Sequence, residues 1–183
     1  LMAWARVPRA VRLPTRFDHD IRLFTPPTGQ LVLTGSDDFE AETVVAVEGG
    51  YRVIPHSRLS LDAAVFTNAY DHLRSQEIQF RPAPIFVLDN QLNARTAGVE
   101  LAGTVQLAPN WRMHGSYAWL DQHLTFDRGS TDSTGGIFEA NDPSHLASAR
   151  SYVGLPRDLA FGGLLGLVGG RPAAVVAPVA EPG

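Results

Sequence analysis

Apolar and polar residues alternate at every second position along several stretches of the chain. Between Trp111 and Leu120 the odd positions are apolar, aromatic or glycine, with Trp111 and Trp119 near the two ends, and the even positions are mostly polar or small. A period of two is that of a β-strand, in which successive side chains point to opposite faces. The same alternation recurs over 43–53, 58–71 and 92–107. It predicts long strands that each have one apolar and one polar face.

Three weaker patterns extend this interpretation to about seven strands. They cover 2–12, where Pro8 removes one donor from the strand, 145–154 and 159–169. The stretch 159–169 is the most apolar part of the chain, but it contains four glycines and is shorter than the roughly 18 apolar residues of a membrane-crossing helix. The sequence therefore predicts an all-β fold.

The predicted connections alternate between short and long. Short turns are predicted at 54–57, 108–110 and 156–158, and long polar connections at 13–40, 72–91 and 124–143. Outer-membrane β-barrels have this alternation, and strands of about 9–11 residues cross a bilayer, whereas soluble strands average about 5–6. The pattern favours an antiparallel up-and-down meander from a transmembrane β-barrel. A soluble β-sandwich or small-barrel binding module stays open as the alternative, because it has the same alternation.

The predicted sheet should not close on itself. Its polar face carries charged or ionisable residues, and packing unpaired ions into a narrow dry barrel would cost several kcal/mol each; these residues are Glu48, Arg52, Asp62, Glu100, Arg112 and His114. Seven is also an odd number, whereas bacterial single-chain barrels use even numbers. We expect residues 1–170 to form a partial, open barrel with strands 2–12 and 159–169 at its edges. An unstructured or truncated tail should follow at 171–183.

The composition excludes several kinds of partner and of chemical site. The formal net charge is -4, which gives no basic surface for nucleic acid, and cysteine is absent, which excludes disulfides, thiolate metal sites and a cysteine nucleophile. The six histidines lack the spacing of metal ligands, and no G-x-S-x-G serine motif occurs. We therefore expect neither an enzyme nor a bound metal or cofactor.

Arginines in the long connections are the candidate ligand-binding residues. Arg12, Arg16 and Arg22 lie in or beside the first connection, and Arg74 and Arg81 lie in the second. Guanidinium groups suit carboxylate or catecholate ligands because they donate in a fixed planar fork. Ordinary solvated loop charges explain each arginine equally well.

Six segments resemble, in order and spacing, TonB-dependent outer-membrane receptors of the iron-siderophore type. They are 9–18 (RAVRLPTRFD), 39–52 (FEAETVVAVEGGYR), 60–68 (SLDAAVFTN), 96–100 (TAGVE), 111–117 (WRMHGSY) and 141–145 (NDPSH). The resemblance implies part of the C-terminal half of a 22-stranded, plug-filled barrel in the bacterial outer membrane, in contact with lipid. It further implies uptake of a ferric siderophore or similar scarce ligand, with the plug domain and TonB as partners only within a full receptor. A non-functional barrel fragment is the remaining alternative.

Overall fold

The computed structural model describes residues 1–80, 83–137, 139, 141–156 and 159–170, which form one sheet and one short helix. The ten strands are β1 (Met2–Arg6), β2 (Arg9–Arg12), β3 (Arg22–Thr25), β4 (Gln30–Thr34), β5 (Glu42–His56), β6 (Leu59–Phe80), β7 (Pro84–Ala108), β8 (Trp111–Phe126), β9 (His145–Leu155) and β10 (Leu159–Gly169), and the helix is α1 (Arg16–Asp20). No helix among these residues is long and apolar enough to cross a membrane.

The sheet is an open meander. Its main order is β1-β5-β6-β7-β8-β9-β10, with neighbours antiparallel, and β2 lies beside β1 along β5. Within the described residues, β10 pairs only with β9, and no ladder joins it to β1 or β2. The prediction of an open antiparallel sheet with these two edges is confirmed. The predicted strand 2–12 is interrupted between β1 and β2, where Pro8 stands, and the tail 171–183 lies outside the described residues.

The predicted register is also confirmed. Val99, Leu101 and Val105 lie opposite Trp119, Tyr117 and Met113, whereas Thr104 lies opposite His114 on the other face. We call the side of the odd positions 43–69 of β5 and β6, 95–105 of β7 and 111–123 of β8 the apolar face, and the opposite side the polar face. Large side chains on the apolar face remain exposed: Val65 is 57% exposed and Leu101 is 46% exposed. The described strands supply no second sheet to cover them.

Polar side chains on the polar face form hydrogen bonds with one another across neighbouring strands. Asn68 Nδ2 donates to Thr96 Oγ1 at 2.9 Å, and Ser116 and Ser148 share a hydrogen bond of 2.7 Å. Aromatic residues also lie here, among them Tyr70 and Trp4, which is opposite Gly50. Their register therefore places Trp4 and Tyr70 on the face opposite that of Trp111 and Trp119.

The predicted connection 72–91 is wrong. β6 continues to Phe80 and β7 begins at Pro84, so most of this segment is a protruding two-stranded hairpin. The register shifts twice, between Tyr70 and Leu73 and between Leu73 and Ser75, and His72 has φ of 59°. Sequence alternation was lost here because each bulge moves the following side chains to the other face.

The other connections follow the prediction more closely. The turns lie at Ser57–Arg58 and Pro109–Asn110, so the first begins later than predicted because β5 continues through Pro55 to His56. The end of the sheet opposite these turns is called the outer end. There, residues 13–41, the first outer loop, contain α1 and the β3–β4 hairpin, and the described residues between β8 and β9 (127–137, 139 and 141–144) are called the second outer loop.

Candidate functional site

The helix α1 places a buried carboxylate at the base of the first outer loop. Thr15 caps the helix: its backbone N donates to Asp18 Oδ2 at 2.8 Å, and its hydroxyl accepts from the backbone N of Asp18 at 3.4 Å. This reciprocal arrangement satisfies amide groups that have no partner within the helix. It also draws the side chain of Asp18 inward, where it is 0% exposed.

The β3–β4 hairpin is held against this helix. Gly35 N donates to Ile21 O at 2.9 Å, and Ser36 N donates to Asp18 O at 3.0 Å. A Cβ atom at Gly35 would lie 2.4 Å from the carbonyl oxygen of His19, so glycine permits this close approach of two backbones. The first outer loop is therefore a folded unit.

Five charged side chains form a network between the outer loops and the sheet. Arg12 Nη1 donates to Glu42 Oε1 at 2.5 Å, and Arg12 Nη2 donates to Asp18 Oδ2 at 3.3 Å. Arg74 Nη2 donates to Glu139 Oε1 at 3.0 Å, and Arg74 Nη1 lies 3.8 Å from Asp18 Oδ1. The backbone N of Arg74 also donates to Glu42 at 3.2 Å. Three carboxylates thus surround two guanidinium groups, so neither arginine is an uncompensated positive charge.

Burial and hydrogen bonding act in opposite directions on Asp18. Burial by itself would raise the pKa of its carboxyl group. The hydrogen bonds from the backbone and hydroxyl of Thr15, and the positive charges of Arg12 and Arg74, outweigh burial and lower the pKa below its ordinary value of 3.8. Asp18 is consequently a carboxylate at neutral pH, and its charge attracts both arginines.

The first outer loop crosses the protruding β6–β7 hairpin. The sheet order places β5 on one side of this hairpin and β8 on the other. β4 precedes β5 in the chain, yet it runs parallel to β7, with Leu33 beside Phe86 and Thr34 beside Val87. Because β6 is paired with one edge of β7, β4 must pair with the other edge. Nearer the turns, that same edge of β7 is paired with β8.

The second outer loop crosses in the opposite direction. Although it follows β8, its side chains bind backbone groups of β6: Gln76 N donates to Asp132 Oδ2 at 2.7 Å, and Ile78 N donates to Thr131 Oγ1 at 2.8 Å. Glu77, which is 4% exposed, accepts hydrogen bonds from Ser130 and Thr131. The loop therefore covers the edge of β6 that β5 occupies farther down. Together the two loops satisfy both open edges of the hairpin.

Two cavities lie around the crossed loops. An outer cavity of about 200 Å³ has an apolar wall that includes Phe17, Leu33 and Leu88. A second cavity of about 370 Å³ lies over the polar face; its lining includes Phe66, Asn68, Tyr70, Thr96, Gln122 and Asp142. Glu139 lines both cavities, and Arg74 lines the outer one, so this ion pair lies where the two cavities adjoin.

The five predicted arginines are not brought together. Arg12 and Arg74 join the network described above, whereas Arg16 pairs with Asp20 within α1 and its side chain is 96% exposed. Arg22 is exposed at the start of β3, and Arg81 lies outside the described residues. The ligand-binding role of these arginines stays a prediction.

Sequence reasoning missed the acidic half of the network: Asp18, Glu42 and Glu139. One signal was present, since Thr15 and Asp18 have the three-residue spacing of a helix-capping pair. Glu42 and Glu139 had no comparable signal, because they reach Arg74 from 32 and 65 residues away in sequence. Within the described part of the chain, no group of three or more His, Cys, Asp or Glu side chains is placed to hold a metal ion.

The sequence matches a family model described as TonB dependent receptor-like, beta-barrel, over residues 4–173. No curated protein matches it. Among solved structures, the copper transporter OprC has a TM-score of 0.60 at 18% identity and covers 91% of this chain and 23% of that chain. The siderophore receptor PirA from Pseudomonas aeruginosa has a TM-score of 0.59 at 17% identity and covers 90% of this chain and 31% of that chain.

These comparisons agree with the architecture described above. At such identities the two solved structures show the fold alone, and this chain spans less than a third of the length of either. The family model, by contrast, is matched by most of the sequence. Its family and both structural neighbours are receptors or transporters rather than enzymes. The chain belongs to the TonB-dependent receptor β-barrel family, of which it provides an open segment of barrel wall.

Proposed function

We propose that this chain forms part of the wall of a bacterial outer-membrane receptor that takes up a scarce small ligand. The observation that carries the proposal is the division of the sheet into an exposed apolar face and a hydrogen-bonded polar face. The apolar face meets lipid, and the polar face lines the lumen.

The aromatic residues of the apolar face have the spacing that a membrane requires. Trp111 and Trp119 lie on this face eight residues apart, which is about 27 Å along a strand. With the usual strand tilt of about 40°, their separation along the membrane normal is about 20 Å, close to the apolar band of outer-membrane barrels. Aromatic residues favour the two interfaces of a bilayer. Outer-membrane barrels have short periplasmic turns and longer extracellular loops. On that basis the proposed orientation has the turns on the periplasmic side and the crossed loops outside the cell.

The ligand we propose is a ferric siderophore or another scarce metal complex. Support comes from the resemblance of the six sequence segments, and from loops folded over the lumen side around the larger cavity. Among the candidate arginines that the structure describes, Arg16 and Arg22 are exposed and lie outside the charged network. Arg12 and Arg74 would first have to leave their carboxylate partners. A plug domain and TonB complete the proposed machinery.

Uptake in intact cells tests this function. Cells that carry or lack the gene are given iron-55 bound to hydroxamate, catecholate or carboxylate siderophores, and in parallel ionic copper. We expect gene-dependent uptake of one iron complex that stops when the inner-membrane energy source is dissipated. Gene-dependent copper uptake alone would reject the siderophore. Uptake that does not depend on the gene for any compound would reject the receptor function.

A further inference from the structure

We propose that Arg95 and His123 bind the phosphate group of an anionic lipid in the outer leaflet of the membrane. The proposal rests on the receptor function proposed above, because it requires the apolar face to meet lipid. It adds a lipid headgroup that this face recognises, and it is independent of which ligand is carried.

Arg95 and His123 lie directly opposite each other on the apolar face. The register of β7 and β8 pairs them, and both side chains are exposed. Opposite residues of an antiparallel pair have Cβ atoms about 5 Å apart, so the guanidinium and imidazole groups can contact one anion together. On the other side of Arg95 the same row continues with Ala69 of β6 and Val45 of β5. These side chains are short and leave the surface beside Arg95 open.

A third basic residue lies farther along this row. Arg9 of β2 is opposite Val45, and it is exposed. Three strand spacings of about 4.8 Å separate the backbones of Arg9 and Arg95, which gives about 14 Å. Arg9 can therefore contact the same headgroup only at its far side, and we expect it to contribute less than Arg95.

Arg95 and His123 have no internal counter-charge among the described residues. Two carboxylates of the same face, Asp71 and Asp121, lie diagonal to Arg95, but no ion pair joins either of them to Arg95 or His123 in the described part of the chain. The N–H groups of Arg95 are thus available to an external acceptor. Phosphate oxygens match the planar fork of a guanidinium group.

The distance from Trp119 fits the level of a lipid headgroup. His123 lies four residues beyond Trp119 on the same strand and face, about 13 Å along the strand and about 10 Å along the membrane normal at a tilt of about 40°. Nearer the turns the same face is apolar, with Val65 and Leu101 exposed. A partner that meets both surfaces must combine hydrocarbon with a negative charge. That combination indicates an anionic lipid rather than a free anion.

Lipid binding by the complete natural polypeptide tests the site. The protein is purified in detergent from the outer-membrane fraction and titrated by native mass spectrometry with diphosphoryl lipid A, with its monophosphoryl form and with diacylglycerol, which has no phosphate. The variants are R95Q, R95K, H123Q and R9Q. R58Q is the matched control, because Arg58 is an exposed arginine in the turn at the opposite end of the sheet.

We expect diphosphoryl lipid A to bind best, and R95Q to weaken its binding by about fivefold, as is typical of one arginine near an anionic lipid. R95K keeps the charge and should lose no more than about twofold. H123Q and R9Q should lose about two- to threefold, because imidazole has fewer donors than guanidinium and Arg9 is more distant. R58Q should bind as the natural protein does.

Equal losses in R95Q and R58Q would overturn the lipid site, as would equal binding of diacylglycerol. Complete displacement of lipid A by an equimolar amount of inorganic phosphate would reveal a free-phosphate site and would also overturn it. If R95Q is not recovered, A69E decides, because it sets a carboxylate beside Arg95 at an exposed position; unchanged binding in A69E would refute the site. Absence of the natural protein from the outer-membrane fraction would instead contradict the receptor function itself.

Discussion

The two ends of the sheet satisfy their polar groups in different ways. Between the turns and Tyr70, each long strand has a neighbour on both sides, and backbone groups are paired residue by residue along β5 to β8. Above Tyr70, β6 and β7 extend beyond β5 and β8, and the crossed outer loops take over the missing edges. In the lower region, between the turns and Tyr70, strand pairing repeats regularly from residue to residue. In the outer region, above Tyr70, the strand edges are satisfied by individual contacts between residues that are distant in sequence.

This difference also appears in what is buried. In the lower region, large apolar residues are exposed on one face and mostly small or polar residues lie on the other. The outer region contains the packed cluster of Leu92, Ala94 and Leu124, together with the buried carboxylates of Asp18 and Glu77. The exposed apolar face of the lower region is thus suited to contact with lipid. The outer region instead has a packed core like that of a soluble protein. Mutations should consequently act by different mechanisms in the two regions.

The largest effect is expected from Leu124→Ala in the outer region. Leu124 is 2% exposed, and a Cβ atom at Gly136 would lie 2.7 Å from it, so the second outer loop packs directly onto this side chain. The cavity should cost about 2–5 kcal/mol of unfolding free energy, measured by denaturant titration in lipid vesicles. Hydrogen exchange should accelerate in 130–136 but not in β9. Leu13→Ala, at a residue that is 72% exposed, is the control and should change stability by less than about 0.5 kcal/mol. Equal acceleration in β9 would show that the two regions unfold together.

A slightly smaller effect is expected from Leu61→Arg on the apolar face of the lower region. A charged side chain here must enter the lipid, which costs about 2–4 kcal/mol near the middle of the bilayer. The control is Ser60→Arg, one residue earlier, whose side chain points to the polar face opposite Thr104. Unfolding free energies of both variants, again in vesicles, should differ by at least about 2 kcal/mol. Equal losses would contradict the assignment of the apolar face to lipid.

The smallest effect concerns Asp18 and its pH dependence. Because its folded pKa lies below the unfolded value, the charged carboxylate stabilises the outer region fully at pH values above about 4. This stabilisation should be lost as pH falls from about 4 through the lowered pKa. Hydrogen exchange of residues 15–21 should accelerate over that interval. Asp18→Asn should cost about 1–3 kcal/mol at neutral pH and reduce this acceleration. Asp20→Asn, with an exposed side chain, should retain it.

The alternating pattern was sufficient to predict the strand register and the two faces of the lower region. Val99 opposite Trp119 and Thr104 opposite His114 follow from a period of two and from the position of the turn at Pro109–Asn110. The same rule failed above Tyr70, where the bulge at His72 changes which residues share a face. The alternation assigned no face to Trp4, and only its register, which sets it opposite Gly50, places it on the polar face.

By itself the sequence determined the class of fold, the two faces of the long strands and the open edges, because these properties depend on local alternation and on residues close together in the chain. Only the tertiary structure decided that Arg74 meets both Asp18 and Glu139. Those contacts require loops that begin on opposite sides of a hairpin to cross it. Their pairing is set by which strand edges remain open at the outer end, and no local pattern of hydrophobic and polar residues encodes that choice.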